Sequence, residues 1–464
     1  MANPTQSKPT LPPILFILLS VGLVFGLSQL WTRCSSTPSA VTIAVDNSTL
    51  AKRISLGDKV LVSSKISAEK QAGVAALREG DFKTAVDRFQ ASLDSDRNDP
   101  ETLIYLNNAK ISDRPFYRIA VVVPIGSNLD IAQEIMRGVA QAQNELNNRS
   151  GINGKGLQVV LINDDNDSEV AKQVAMALVN DPETLAVIGH NASNASLAAA
   201  PIYQKSELVM ITSTGFANGL SGFGSYIFRT SPDMRSTAGV LADYVVKTTR
   251  KTRIAVCYDS QAPDNVSFKD EFVAALSALG GKLVPTVCDL SLPDFNPDAA
   301  MTEALNNGAE GLLLTPHIDR ISYAIALARA NRGRLPLYSS PSLYTMQTLE
   351  QGQIDVKGLV FPAPWHPQAN SQDSFSAHAR QYWGGTVNWR TATSYDAASA
   401  IITALQKGTT RTDLQQVLRS PSFQSPGASN TVRFLPTGDR ATRPILVQVQ
   451  SDGRGRDRFV PLNP

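Results

Sequence analysis

From residue 117 onward the chain alternates short apolar runs with longer amphipathic ones, and the alternation runs through once and then restarts. Buried strands read as near-continuous apolar runs and helices as a period of 3.6. On that basis strands are predicted at 118–124, 156–163, 185–188, 208–211 and 226–229. Helices are predicted at 129–148, at 168–180, from about Ser193, and at 235–247. The second round gives strands at 253–258, 282–288, 311–315 and 336–339, with helices at 264–279, 298–306 and 321–330. Strand–helix alternation makes parallel sheets with right-handed crossovers, so the class is α/β. Two rounds imply two similar lobes, about 117–231 and about 250–362. The remainder must return a helix to the first lobe at 393–406 and add closing strands at 431–434 and 445–449. Open parallel sheets bind ligands beyond the carboxyl ends of their strands. Two such ends facing one another define a cleft, with hinges expected at 230–233, 361–366 and just before Thr431.

The stretch 187–216 carries the first candidate site. Gly189 ends a buried strand, and Asn191, Ser193, Asn194 and Ser196 stand where a helix should begin. Short polar side chains there cap free backbone N–H groups, and a helix start is itself a ready anion site. The next strand opens into a second polar loop, Thr212, Ser213, Thr214. Two hydroxyl-rich loops at neighbouring strand ends suit a small carboxylate. Plain capping and turn chemistry explain the same residues without a ligand. His190 follows a buried strand and reads as a hydrogen-bonded structural residue.

The ordered series Val187-Ile-Gly-His190, Ser193, Ala199, Ile202-Tyr203 and Val209-Met-Ile211 resembles the leucine/isoleucine/valine-type periplasmic binding proteins. The register continues through Gly138, Asn147, Gly151-Ile-Asn-Gly154 and Asp164-Asp165 upstream, and Phe228-Arg-Thr230 and Pro232 downstream. The resemblance covers roughly 117–450 and implies a two-lobed type I binding fold within 113–464. It also implies that Ser193 and the 212–216 loop hold a ligand carboxylate. Several positions depart from the pattern. Phe216 replaces a carboxylate-binding Thr, Asp264 falls where the second lobe has a Tyr, and His317 and Ile318 replace a Tyr pair. The acid that would meet an ammonium aligns with Ser342. Either Asp264 supplies that charge from a different place or the ligand lacks an amine. The expectation is a retained scaffold with altered specificity.

The N-terminal part adds three features. An apolar run, 11–31, is long enough to cross a bilayer and is read as an uncleaved anchor in residues 1–33, with Lys8 inside. Bulky and charged residues before Cys34 argue against lipidation. Residues 34–66 read as a linker in which 54–62 forms a short strand pair or an extended arm. Residues 67–112 are helical, and Gly73, Ala85, Phe89 and Pro100 resemble one tetratricopeptide unit. One unit cannot bury a solenoid core alone. It therefore packs on the main domain, stands as a stalk, or offers a docking site.

A formal net charge of +2 in 464 residues argues against a nucleic-acid partner. Three cysteines are too few for a disulfide framework, and Cys257 and Cys288 are expected as buried free thiols. Dinucleotide, P-loop, hydrolase-elbow and zinc-protease motifs are missing, and the four histidines are scattered. Asp164-Asp-Asn-Asp167 reads as a helix cap rather than a calcium loop. No enzyme activity, metal or cofactor is expected. The expected function is capture of a small polar solute, an amino acid or another carboxylate, for an ABC-type importer. The alternative is a membrane-anchored sensor that signals by lobe closure or through a partner on the helical hairpin.

Overall fold

The fold is seen in a computed structural model that describes residues 48–462, apart from 65, 370–373, 429 and 453–455. The apolar run 11–31, Cys34 and Arg454 lie outside the described residues. Among the described residues no helix is long and apolar enough to cross a membrane.

Two sheets carry the lobes. The first contains β1 (Ile54–Ser55), β2 (Phe116–Val123), β3 (Gly156–Asn163), β4 (Thr184–Ile188), β5 (Val209–Thr212) and β6 (Ile227–Arg229), in the order β1-β3-β2-β4-β5-β6. Its last five strands run parallel, and β1 joins the edge antiparallel. The second contains β7 (Arg253–Tyr258), β8 (Lys282–Val284), β9 (Gly311–Thr315), β10 (Leu337–Ser339), β11 (Val360–Ala363), β12 (Ile445–Ser451) and β13 (Asp457–Pro461). Their order is β13-β12-β11-β10-β9-β7-β8, and the last two strands in sequence run antiparallel to their neighbours. Seven of the eight residues of β2 are buried, because helices cover both sheet faces.

The flanking helices include α1 (Ala68–Glu79), α2 (Phe82–Ser95), α3 (Pro100–Lys110), α4 (Leu129–Asn147), α5 (Ser168–Asn180), α6 (Ser193–Lys205), α7 (Met234–Asp243) and α8 (Pro263–Ala278). After them come α9 (Pro297–Asn306), α10 (Ile321–Asn331), α11 (Met346–Gly352), α12 (Ser374–Trp383), α13 (Trp389–Leu405) and α14 (Arg411–Arg419). Asp167 accepts from the N–H groups of Glu169 and Val170 at 2.8 and 2.9 Å, so the acidic run before α5 does act as a cap. Helix α13 begins at Trp389, earlier than 393, because Asn388 caps it by accepting from Arg390 N–H at 2.8 Å. It lies tightly on α4. A Cβ added to Gly138 would stand 2.2 Å from the Thr391 carbonyl oxygen, so this approach requires glycine.

The chain crosses between lobes three times. Two crossings follow β6 and β11, as expected. The third is at 441–444, not before Thr431. Residues 431–434 form only the isolated bridges Ser425–Val432 and Phe434–Arg440. The segment 437–439 stays on the first lobe: Arg229 N–H donates to Gly438 O at 3.0 Å and the Arg229 side chain pairs with Asp439 at 2.5 Å.

The N-terminal helices belong to the first lobe. Part of the expected linker is β1, an edge strand. Gly73 admits the Phe89 ring, and Gly80 closes α1 at φ 79°. Helix α3 is buried along almost its whole length. Asn108 donates to Leu56 O and Val159 O at 3.0 and 2.8 Å and accepts from Val159 N–H at 3.0 Å. Buried Lys70 meets Asp99 and Glu101 at 2.7 Å each, and Glu101 accepts from Leu61 N–H at 2.6 Å. Of the expected alternatives, packing on the main domain is what the helices do.

Cys257 and Cys288 form a disulfide rather than two free thiols. Strands β7 and β8 are neighbours, and Tyr258 N–H donates to Cys288 O at 3.2 Å, which brings the two Cα atoms to 4.7 Å.

Candidate ligand-binding cleft

A narrow cleft with about 40 Å³ of free interior volume, partly open to solvent, lies between the lobes at the strand ends. Its walls come from the loops after β4 and β5, the start of α8, the loops after β9 and β10, and the first turn of α13.

The wall made by the first lobe is internally bonded. His190 is fully buried, with Nδ1 2.7 Å from Asp164 and Nε2 3.1 Å from the Tyr203 hydroxyl, which fits the structural role expected of it. Thr212 Oγ1 donates to His190 O and accepts from Gly215 N–H, both at 2.9 Å. Ser193 Oγ accepts from Phe216 N–H at 3.1 Å and Ala217 N–H at 3.2 Å. Thr214 Oγ1 donates to Asn191 O at 2.9 Å, and Asn191 Nδ2 donates to Asn166 at 3.0 Å. Asn191, Thr214 and Phe216 line the cleft. Ser193 and Thr212 stand behind it and brace its loops. Asn194 lines a neighbouring groove with Asp259 and Asp319.

The opposite wall holds Asp264, His317 and Ser342, all at the cleft. Burial raises the Asp264 carboxyl above the ordinary 3.8, against the pull of His317 and the N–H groups of the helix start. Burial depresses His317, but its bond to Asp319 and the charges of Asp264 and Asp259 outweigh that and raise it above the ordinary 6.5. The structure also brings in residues that sequence reasoning missed: Asn265, Ser340, Trp389 and Arg390. Each has a buried polar atom without a partner among the described residues: Asn265 Nδ2, Ser340 Oγ, Trp389 Nε1 and Arg390 Nε. The available signal was Asn388 as a helix cap, which places Trp389 and Arg390 in a first turn at a strand-end face.

The family model for periplasmic binding proteins matches residues 117–454. The chain belongs to the periplasmic binding protein family. An amino acid binding protein of Pseudomonas aeruginosa is 30% identical over 192 residues, 40% of this chain and 49% of the relative. A Leu/Ile/Val-binding protein of Escherichia coli K12 is 33% identical over 125 residues, 27% of this chain and 34% of the relative. The match thus spans about half the length of the first curated relative and about a third of the second. A leucine binding protein from Thermotoga maritima superposes with a TM-score of 0.66 at 21% identity, covering 75% of this chain and 99% of that one. A solute-binding protein of Rhodopseudomonas palustris, solved with p-hydroxybenzoic acid, gives 0.65 at 17%, covering 75% and 98%. These likenesses fix the two-lobed type I fold. The α1–α3 unit precedes the family match in this binding protein.

Proposed function

We propose that the protein is an extracytoplasmic solute-binding protein. It closes its lobes over an amino acid or another carboxylate-bearing solute and presents it to an ABC-type importer. One observation carries the reading: a cleft at the strand ends of both lobes, lined from each side, in a chain of the binding-protein family. The names of the relatives support it, since they bind leucine, isoleucine and valine or serve ABC transporters. The Cys257–Cys288 bond supports an oxidising, extracytoplasmic setting. We further propose that residues 11–31 tether the domain and that α1–α3 is a tetratricopeptide-like unit.

Thermal unfolding of the full-length protein against amino acids, carboxylates, amides and sugars tests the reading. A ligand that binds only the folded state stabilises it by about 2.7 kcal/mol at 100 times its dissociation constant. A shift with amino acids or carboxylates is expected; a panel that shifts nothing counts against solute uptake.

A second reading has its own support. The α1–α3 unit is joined to the first lobe by Asn108, which donates to Val159 O at 2.8 Å and accepts from Val159 N–H at 3.0 Å, so lobe motion moves it as a body. In this reading the protein is a tethered sensor, and a signalling partner reads lobe closure through these helices. Capture of the importer's permease by the ligand-loaded protein separates the two readings.

A further inference from the structure

We propose that Arg390 is the carboxylate anchor of the cleft, and that the ligand is an apolar-bodied monocarboxylate that needs no α-ammonium group. The proposal rests on the solute-binding reading and names the ligand chemistry of the same site.

Arg390 lies in the first turn of α13 and is 4% exposed. Its Nη1 donates to Tyr344 O at 2.8 Å, and its Nε is shielded from water without a partner. Among the described residues no carboxylate pairs with it. The neighbouring acid, Glu134, is engaged by Arg137 at 2.7 Å, by Asn388 N–H at 3.1 Å and by Thr391 Oγ1. Glu134 acts on the Arg390 charge without hydrogen-bonding to it, and a buried guanidinium N–H left without an acceptor is unfavourable unless something else supplies one. Here the guanidinium lies over the Trp389 ring, 4.3 Å from its centroid, a cation–π contact. A guanidinium with an N–H left unbonded is the partner that carboxylates take in charge-assisted hydrogen bonds.

The rest of the cleft agrees. Asn265 Nδ2, Trp389 Nε1 and Ser340 Oγ are further unpartnered atoms able to donate, so the cleft calls for an acceptor-rich group. Asp264 is the carboxylate on the lining, and His317 opposes its charge. Ser342, also on the lining, carries no charge. Phe216 meets Trp389 edge-on at 5.6 Å, and Phe268 and Ile318 extend the apolar lining.

The test is calorimetric titration of the full-length protein with 4-methylpentanoate and 3-phenylpropanoate, their amides, and leucine and phenylalanine. One or both acids should bind at least as tightly as the matching amino acid, and the amide on the order of 100-fold more weakly. Arg390→Lys should weaken the acid roughly tenfold, because the point charge remains and the fork is lost. Arg390→Met should weaken it on the order of 100-fold. If Arg390→Met does not fold, Arg390→Lys and the acid-against-amide contrast in the unaltered protein still decide. Equal binding of acid and amide, or wild-type binding of the acid by folded Arg390→Lys, overturns the proposal. Binding of the amino acids alone overturns it and leaves the solute-binding reading standing. Binding of no probe overturns both.

Discussion

The two lobes follow one βα plan, yet the polar groups around the cleft between them fall into two sets. Behind the cleft wall of the first lobe, Ser193, Thr212 and Thr214 bond to the backbone of the adjoining loops, and His190 is held by Asp164 and Tyr203. Across the cleft, Asn265 and Ser340 each keep a buried polar atom unpartnered, as do Trp389 and Arg390 on the returning helix. Buried polar groups are normally paired, and an unpaired one costs free energy. The bonded hydroxyls therefore serve shape, and the unpartnered atoms at the lining serve a guest. The lobes are also reinforced differently. The first carries three extra helices held to it by the amide bonds of Asn108, and the second carries the Cys257–Cys288 bond.

The largest expected effect tests the reinforcement. Replacing both cysteines (Cys257→Ala with Cys288→Ala) should cost roughly 3–4 kcal/mol, the loop-entropy value for a closure of this span; the two residues are 31 apart. Urea unfolding monitored in each lobe should show the loss in the second lobe first. An unchanged midpoint would mean the second lobe does not depend on its cross-link.

The next effect opposes the two sets of polar groups. Ser193→Ala leaves the Phe216 and Ala217 N–H groups without their acceptor and should lower stability by about 2 kcal/mol. Ser340→Ala removes an atom without a partner in the free protein. It should leave the unfolding midpoint unchanged or slightly raised, while affinity for a bound acid falls roughly tenfold. If Ser340→Ala is the destabilising change and Ser193→Ala the one that weakens binding, the assignment of the two sets is reversed.

The smallest effect is a pH slope. Protonated His317 is favoured in the folded protein, so its contribution is complete below the ordinary value of 6.5 and disappears as pH climbs through the raised one. Asp264, raised by burial, acts in the same direction in an acid window that begins near 3.8. Stability should therefore decline as pH rises just above 6.5, and His317→Gln should flatten that decline. A slope unchanged in His317→Gln assigns it elsewhere.

Much of the scaffold was legible. The runs at 156–163, 168–180 and 311–315 are the elements observed, because continuous apolar strands and capped amphipathic helices declare themselves within a few residues. The site was legible only in part. Asn191, Thr214, Phe216, Asp264, His317 and Ser342 do meet at the cleft. Ser193 and Thr212 suggested the same role, but their partners lie across a loop junction, and residue type does not reveal whether a hydroxyl is already bonded. Arg390 was missed for the converse reason: no motif surrounds it, and its meaning comes from a buried N–H left without an acceptor.

By itself the sequence determined the two α/β lobes, the cleft between their strand ends and the family. The lobes and the cleft follow from local periodicity and from the limited ways parallel strands can be connected, and the family follows from the ordered residue series that resembles it. Only the tertiary structure decided that Cys257 and Cys288 join, that the third crossing falls at 441–444, that α3 is buried against the first lobe, and which polar groups face the cleft unpaired. Each of these depends on which distant residues become neighbours. Desolvation and hydrogen bonding act on those neighbours, whatever the distance along the chain.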